Sequence, residues 1–210
     1  MINILIADDH TIVREGLKRI LQQTEDIKRI DEASDGEEVI QKVGRTDYDL
    51  VLLDISLPGR SGLDILKQLK CMKPALPVLV LSMHPEEQYA IRSIRAGASG
   101  YLTKESASQE LIEAIRKVAQ GKRYITSSLA ERMAFQIELD TKKSLHEALS
   151  DREYQVFCMI ASGKTVKEIA GVLSLSVKTI STHRSRLLKK MNMKNNAQLT
   201  HYAIKYSLVD

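Results

Sequence analysis

The sequence predicts an α/β protein: a doubly wound, five-stranded parallel sheet of the flavodoxin-like kind, followed by a small all-α domain of four helices. Three observations carry this. Short apolar runs of strand length recur between Ile2 and Lys104, with helical periodicity filling the intervals. The runs are apolar throughout and stop at turn formers, as strands buried on both faces do. From Leu149 onward the pattern is helical alone, punctuated by hydroxyl caps and a glycine.

Ile2 to Ala7 is the first strand and runs into Asp8-Asp9-His10. Ile12, Val13, Leu17, Ile20 and Leu21 then share one face of a helix. Ile27 to about Ile30 is a short second strand, and Ser34 with Glu37 three residues on resembles a capping box. Leu50-Val51-Leu52-Leu53-Asp54 is the third strand, stopped by Pro58-Gly59 and Ser61-Gly62. A helix is expected over Gly62–Cys71, a strand over Pro77–Ser82, and a helix over Glu86–Ala96 closed by Gly97. Ser99 to Lys104 is the fifth strand. Gln109–Ala119 is its helix, with Leu111, Ile112, Ile115 and Val118 facing inward.

Right-handed crossovers place the ends of all these strands along one edge. In open α/β sheets that edge is where ligands bind. It carries Asp8 and Asp9, Asp54, Ser82 and Lys104, each at the end of its own strand. Taken alone, Asp54 reads equally as a turn cap, and Asp8-Asp9 as an acidic helix start. Together, three acids, a hydroxyl and a lysine go beyond turn chemistry. Three close carboxylates suit a hard divalent cation such as Mg²⁺. An aspartate beside such a cation can act as a nucleophile toward phosphorus. Lys104 can neutralise phosphoryl oxygens, and Ser82 can donate to one of them. Tyr101 could swing into space that Ser82 vacates; spacing alone reads it as an ordinary strand aromatic.

Composition sets the limits. The chain has 210 residues, 43% hydrophobic and 28% charged, which is the balance of a globular protein. No apolar stretch approaches the roughly 20 residues of a membrane span, and Met1 to Ile6 is too short for a signal-peptide core. Cys71 and Cys158 match no metal spacing, and both read as small hydrophobes in a reduced compartment. A cytoplasmic protein without membrane contact is expected. The net charge of +4 is uneven. Residues 1–126 hold 18 Lys+Arg against 19 Asp+Glu, and residues 127–210 hold 13 against 8. The back half is thus the one suited to a polyanion.

Residues 1–120 resemble a response-regulator receiver domain, on Asp8-Asp9, Asp54, Ser82, Tyr101 and Lys104. The resemblance implies Asp54 as phosphoacceptor, charged by a histidine kinase or a small phosphodonor. It implies a Mg²⁺ site of Asp8, Asp9, Asp54 and the main-chain carbonyl of Ser56. Ser82 and Lys104 become phosphate contacts and Tyr101 the switch aromatic. Many receivers have proline after the lysine; here Glu105 stands there.

Gly121 to Tyr124 ends this domain. A capped helix follows from Ser127 to about Leu139, with Leu129, Met133 and Ile137 repeating at i+4, and Asp140 to Lys143 is a polar joint. Ser150 and Glu153 form a capping box ahead of Val156, Phe157 and Ile160. Gly163 ends that helix, and Thr165 caps the next, with Ile169, Val172 and Leu173 inward. Ser174-Leu175-Ser176 is a short turn, and Ser176 caps a helix from Val177 to about Met191; a last helix runs from Ala197 to Tyr206. Two short helices joined by a tight turn, the second one basic, is the helix-turn-helix arrangement.

In that second helix Ile180, Leu187, Leu188 and Met191 form the inward stripe, and Lys178, Ser181, Thr182, Ser185 and Lys189 lie outward. Hydroxyls among cations suit a major groove. A solvated helix would mix charge signs, yet Glu168 is the sole acid between Lys164 and Lys194. Residues 149–208 resemble the LuxR-type DNA-binding domain, on Leu149 to Glu153, Lys167-Glu168-Ile169-Ala170 and Ser176 to His183. By that resemblance Ser181, Thr182 and Ser185 face bases. Lys178, Thr179, His183, Arg186 and Lys189 are candidate phosphate contacts to double-stranded DNA, with His183 equally readable as a partly buried helix residue. The last helix is where such domains pair.

The whole chain is therefore similar to response regulators of the NarL/FixJ type, which implies a transcription regulator rather than an enzyme, dimeric when phosphorylated. The expected division is a receiver at 1–121, a linker with a helix at 122–147 and a helix-turn-helix domain at 148–210. A phosphatase of the haloacid dehalogenase type would want a second aspartate where Ser56 stands. The intact acidic set argues against a degenerate, phosphate-independent receiver. Aromatics at 4% of residues give little base-stacking surface for RNA.

Overall fold

The computed structural model describes residues 1–139, 144–206 and 208–209. The chain divides into two compact units, Met1–Ala130 and Glu131–Asp210. The first is built on strands β1 (Ile2–Ala7), β2 (Ile27–Ala33), β3 (Leu50–Asp54), β4 (Val78–Ser82) and β5 (Gly100–Thr103). They form one parallel sheet in the order β2-β1-β3-β4-β5. Helices α1 (Thr11–Gln22), α2 (Gly36–Arg45), α3 (Gly62–Met72), α4 (Glu86–Arg95) and α5 (Ala107–Ala119) lie between and after the strands.

Alternation sorts the strand residues onto two faces. Ile4, Ile6, Leu50, Leu52, Leu79, Leu81 and Leu102 pack with Leu17 and Leu21 of α1 and Leu111, Ile115 and Val118 of α5. Leu5, Val51, Leu53, Val80 and Tyr101 are equally buried on the face covered by α2, α3 and α4. Each such side chain is worth about 1.5–3 kcal/mol of transfer free energy. Strand order reverses between β1 and β3, which opens a crevice beyond their carboxyl ends. Register puts Ala7 beside Leu53 and Ser82 beside Thr103, so the residues that follow are neighbours on that edge.

Several expectations need correction. β2 extends to Ala33, because an edge strand with one neighbour tolerates polar residues such as Lys28, Arg29 and Asp31. α1 begins at Thr11 with His10 at its N-cap and no acid in its first turn. Ile12 is 85% exposed and Ile20 stands at the surface, so the buried stripe of α1 is Leu17 and Leu21 with Val13 half-buried. The cap of α2 is Asp35, which accepts from the amides of Glu37 and Glu38, both at 2.9 Å. Glu38, not Glu37, reaches back to the Ser34 amide, at 2.7 Å. Cys71 is exposed and Cys158 buried, so the hydrophobe reading holds for one of the two. Among the described residues there is no cis peptide, the Lys104–Glu105 bond included.

Beyond α5 the chain returns to the sheet. Tyr124 donates its amide to Ser99 at 2.8 Å and bridges Gly100 in parallel. A Cβ on Gly100 would stand 2.8 Å from the Tyr124 carbonyl, so this approach requires glycine. The Tyr124 hydroxyl donates to Glu110 at 2.6 Å, and Thr126 donates to Glu86 at 2.8 Å. Thr126 also caps α6 (Ser127–Leu139) by accepting from Leu129 at 3.2 Å. Leu129 is fully buried and Met133 half-buried, whereas the side chain of Ile137 and the joint at 140–143 lie outside the described residues.

The second unit holds a 3-10 turn (Leu145–Ala148) and helices α7 (Asp151–Ala161), α8 (Val166–Val172), α9 (Val177–Lys190) and α10 (Asn196–Lys205). The capping box of Ser150 with Glu153 closes reciprocally, and Thr165, expected as a cap, forms a second box with Glu168. Ser176 caps α9 by accepting from the Thr179 amide at 3.0 Å. Phe157, Ile160, Ile169, Leu173, Ile180, Leu187, Met191 and Leu199 make the core. Val172, expected inside, is 56% exposed, because Ile169, Ala170 and Leu173 take the inward side of this last turn and leave Val172 on its outer flank. Leu188 is half-buried on the margin of the stripe. His146 is buried, with Nδ1 3.0 Å from the Tyr202 hydroxyl.

Candidate functional site: an acidic pocket and a basic helix

The pocket lies on the carboxyl edge of the sheet. Asp8 follows β1 and Asp54 ends β3, and both are about 1% exposed. Lys104, just past β5, sets Nζ 2.6 Å from Oδ2 of each. Two buried carboxylates would repel one another; the lysine between them offsets this. Burial raises the pKa of Asp54, and Lys104 and the Ser56 amide only partly oppose it. Burial pulls Lys104 down, but Asp54 and Asp8 outweigh it, so its pKa is raised and the ammonium is secured.

The second oxygen of Asp54 accepts the Ser56 amide at 2.8 Å. Gly62 makes this turn possible: a Cβ there would fall 2.4 Å from the Ile55 Cα and 2.6 Å from the Asp54 carbonyl. Asp9 is more exposed and meets His10 Nδ1 at 2.9 Å. The same ring lies 3.2 Å from Asp8, and the His10 amide donates to Asp8 Oδ1 at 2.8 Å. Asp8 Oδ2 is buried and, apart from its ion pair with Lys104, lacks a well-aligned hydrogen-bond donor. Ligand atoms from Asp8, Asp9, His10 and Asp54 all lie within 4.8 Å of one another. Three carboxylates gathered this closely fit a hard divalent cation.

Ser82 is fully buried; its Oγ accepts the His84 amide at 2.9 Å, and its carbonyl accepts the Lys104 amide at 2.7 Å. Tyr101 points inward, fully buried, and donates its hydroxyl to the His84 carbonyl at 2.8 Å. Ser82 and Tyr101 thus hold the same loop residue from two sides. Burial, then Lys104, lowers the pKa of His84. Three participants were not legible in the sequence: His10, His84, and Arg14, whose guanidinium donates to the Asp8 carbonyl at 2.6 Å and pairs with Glu32. His10 adjoins the paired aspartates, which is the one signal that pointed to it.

In the second unit α9 presents Lys178, Ser181, Thr182, Ser185, Arg186 and Lys189 to solvent. Thr179 is half-buried and its Oγ1 lies 2.8 Å from Ser176 Oγ, within the cap. His183 is half-buried and its Nδ1 has no hydrogen-bond partner among the described residues; burial, then Arg152, lowers its pKa. It therefore presents a neutral ring rather than a charge at neutral pH.

Each unit matches a known family. Residues 4–116 match the response regulator receiver domain. Residues 147–203 match the luxR family of bacterial regulatory proteins. The chain belongs to the response regulators that join a receiver to a LuxR-type DNA-binding domain. It is 40% identical over 209 residues to response regulator UvrY of Escherichia coli K12, covering 99% of this chain and 96% of that one. Response regulator GacA of Pseudomonas aeruginosa is 34% identical over 211 residues, covering 100% and 99%. Among solved structures, RcsB of Salmonella enterica serovar Typhimurium bound to promoter rprA matches with a TM-score of 0.64 at 26% identity, covering 96% of this chain and 97% of that one. Among the described residues no helix is long and apolar enough to cross a membrane.

Proposed function

We propose that Asp54 accepts a phosphoryl group from a histidine kinase or a small phosphodonor, and that the acyl phosphate so formed controls sequence-specific binding of double-stranded DNA by the second unit. The observation that carries this is Lys104 Nζ held 2.6 Å from both Asp54 and Asp8 in a buried pocket. Asp8, Asp9, Asp54 and the main-chain carbonyl of Ser56 would hold Mg²⁺, which would supply positive charge to the phosphoryl oxygens.

A carboxylate oxygen of Asp54 forms the new bond to phosphorus. The bond from phosphorus to the donor nitrogen or oxygen breaks, and the leaving group keeps the electron pair. Lys104 then releases a carboxylate and pairs with a phosphoryl oxygen. Ser82 gives up its present contact and donates its hydroxyl to another. Both Ser82 and Tyr101 hold His84, so this movement reaches Tyr101, the switch residue. In the second unit Ser181, Thr182 and Ser185 face bases, and Lys178, Thr179, His183, Arg186 and Lys189 are assigned to the phosphate backbone. The phosphorylated chain acts as a homodimer on two half-sites.

The functional division is a receiver at 1–121, a linker at 122–147 and a DNA-binding domain at 148–210. The protein works in the cytoplasm as a regulator rather than an enzyme. The test is intact mass after incubation with Mg²⁺ and acetyl phosphate, for wild type and Asp54→Asn side by side. A phosphoryl-sized gain in wild type alone, lost on chelating Mg²⁺, is expected. An equal gain in Asp54→Asn removes Asp54 as acceptor.

A further inference from the structure

Which bases the helix reads depends on where two hydroxyl protons go, given the proposal above that Thr182 and Ser185 face base edges. Thr182 Oγ1 donates to the Lys178 carbonyl at 3.0 Å, and Ser185 Oγ donates to the Ser181 carbonyl at 3.0 Å. A hydroxyl has one proton. With it spent on the helix backbone, each oxygen turns lone pairs outward and can only accept. In the major groove guanine offers acceptors alone, N7 and O6. Adenine N6 and cytosine N4 are the donors there, and thymine adds a methyl group. An acceptor-only hydroxyl has nothing to form with guanine.

Of the other cations on α9, Arg184 Nε donates to Asn196 at 2.8 Å and Lys190 Nζ is paired with Glu153 at 2.6 Å, while Arg186 is exposed and is assigned above to the phosphate backbone. Lys178, Thr182, Ser185 and Lys189 follow one stripe at i, i+4, i+7 and i+11. The two lysines are eleven residues apart, about 16 Å along the axis. That exceeds the major-groove width of about 12 Å, so the lysines reach the phosphates at either side while the two hydroxyls lie over base edges between them.

We propose that Thr182 selects an A·T pair, accepting from adenine N6 and packing its methyl on that of thymine, and that Ser185 accepts from an amino group on the major-groove edge, adenine N6 or cytosine N4, of the strand it faces. Guanine is not bonded by either side chain.

The test is selection from a random duplex library by the full chain, treated with Mg²⁺ and acetyl phosphate, followed by sequencing. Thr182→Val keeps a methyl and removes the acceptor, Thr182→Ser does the reverse, and Ser185→Ala removes the second acceptor. Both positions are exposed on the helix, so folding is retained in all three variants, with far-UV circular dichroism as the check. Wild type is expected to enrich an A·T pair at a position whose preference falls about three- to tenfold in Thr182→Val. Deoxyuridine for thymidine at that pair should weaken wild type about two- to threefold and leave Thr182→Ser unchanged. A G·C pair at the Thr182-dependent position, or no response to deoxyuridine, overturns the inference while leaving the base-facing assignment standing. Identical selections by wild type and all three variants overturn that assignment as well, as does the failure of wild type to enrich any sequence.

Discussion

Replacing Lys104 by methionine removes a positive charge from a buried acidic pocket and keeps most of its volume. Nζ lies 2.6 Å from carboxylates of Asp8 and Asp54, whose side chains are 2% and 1% exposed. At an effective dielectric constant of about 20, each pair attracts by roughly 6 kcal/mol. Desolvation of three charges and the repulsion between the acids consume most of that. What the substitution exposes is the cost of stranding the partners, about 3–5 kcal/mol when one member of a buried set is removed. Asp54, its pKa already raised by burial, limits the loss by taking up a proton. The loss is still a large share of the roughly 5–15 kcal/mol that holds a domain together.

The assay is amide hydrogen exchange of β3 and β4 read by mass spectrometry, with a chelator present so that no divalent cation replaces the lysine. Peptides from both strands should exchange at least a hundredfold faster than in wild type, since each 1.4 kcal/mol is a factor of ten. Adding Asp54→Asn to Lys104→Met should restore more than half of the loss, because one of the stranded charges is then gone. Protection within threefold of wild type in the single variant refutes the reasoning, and so does a double variant no better than the single.

Other perturbations probe the remaining parts. Gly62→Ala drives a Cβ into the backbone at Ile55 and Asp54, which cannot swing aside, and should cost about 1–3 kcal/mol or more by thermal unfolding; an unchanged transition contradicts the geometry. Glu153 is buried, but its bonds to Lys190 and Ser150 outweigh burial and depress its pKa. Its contribution is thus present above the unfolded value near 4.5 and lost as pH falls through the lower folded value. Exchange in α7 should accelerate below that range in wild type, and Glu153→Gln should be less stable at pH 7 with a flatter acid limb. Lys189→Ala should weaken binding to every duplex alike and reduce the salt slope by about 0.9, whereas Thr182→Ala should change the ranking of sequences; equal effects on cognate and random DNA from both would contradict the division of roles.

What the sequence disclosed and what it hid follow from the range of the interactions. The capping box at Ser150 and the cap at Thr165 are local, so spacing discloses them, whereas the closing of the second cap into a box by Glu168 came from the structure. The cap of α2 is equally local, yet Asp35 and Ser34 are both good caps and spacing could not choose between them. Strands β3 and β4 are apolar at every position before the polar residue that ends each, because each is flanked by strands on both sides. β2 has one neighbour and outlasted its apolar residues. Periodicity placed Ile12 on the inner face of α1 and Val172 on that of α8, since phase carries no information on where a neighbouring element stops. Asp8, Asp54 and Lys104 were visible as strand ends, whereas Arg14 reaches Asp8 from a helix turn and His84 meets Tyr101 across the sheet edge. Such contacts join residues that no local pattern links.

The Tyr124 bridge bears on how the molecule can be cut and rejoined. After α5 the chain is laced to β5 at Gly100, to α5 at Glu110 and to α4 at Glu86. A fragment ending at residue 121 would discard all three ties and leave Glu110 without the Tyr124 hydroxyl and Glu86 without the Thr126 hydroxyl. Chimeric regulators that graft this receiver onto a foreign output domain should therefore place the seam after Ala130, so that the lacing travels with the sheet it closes.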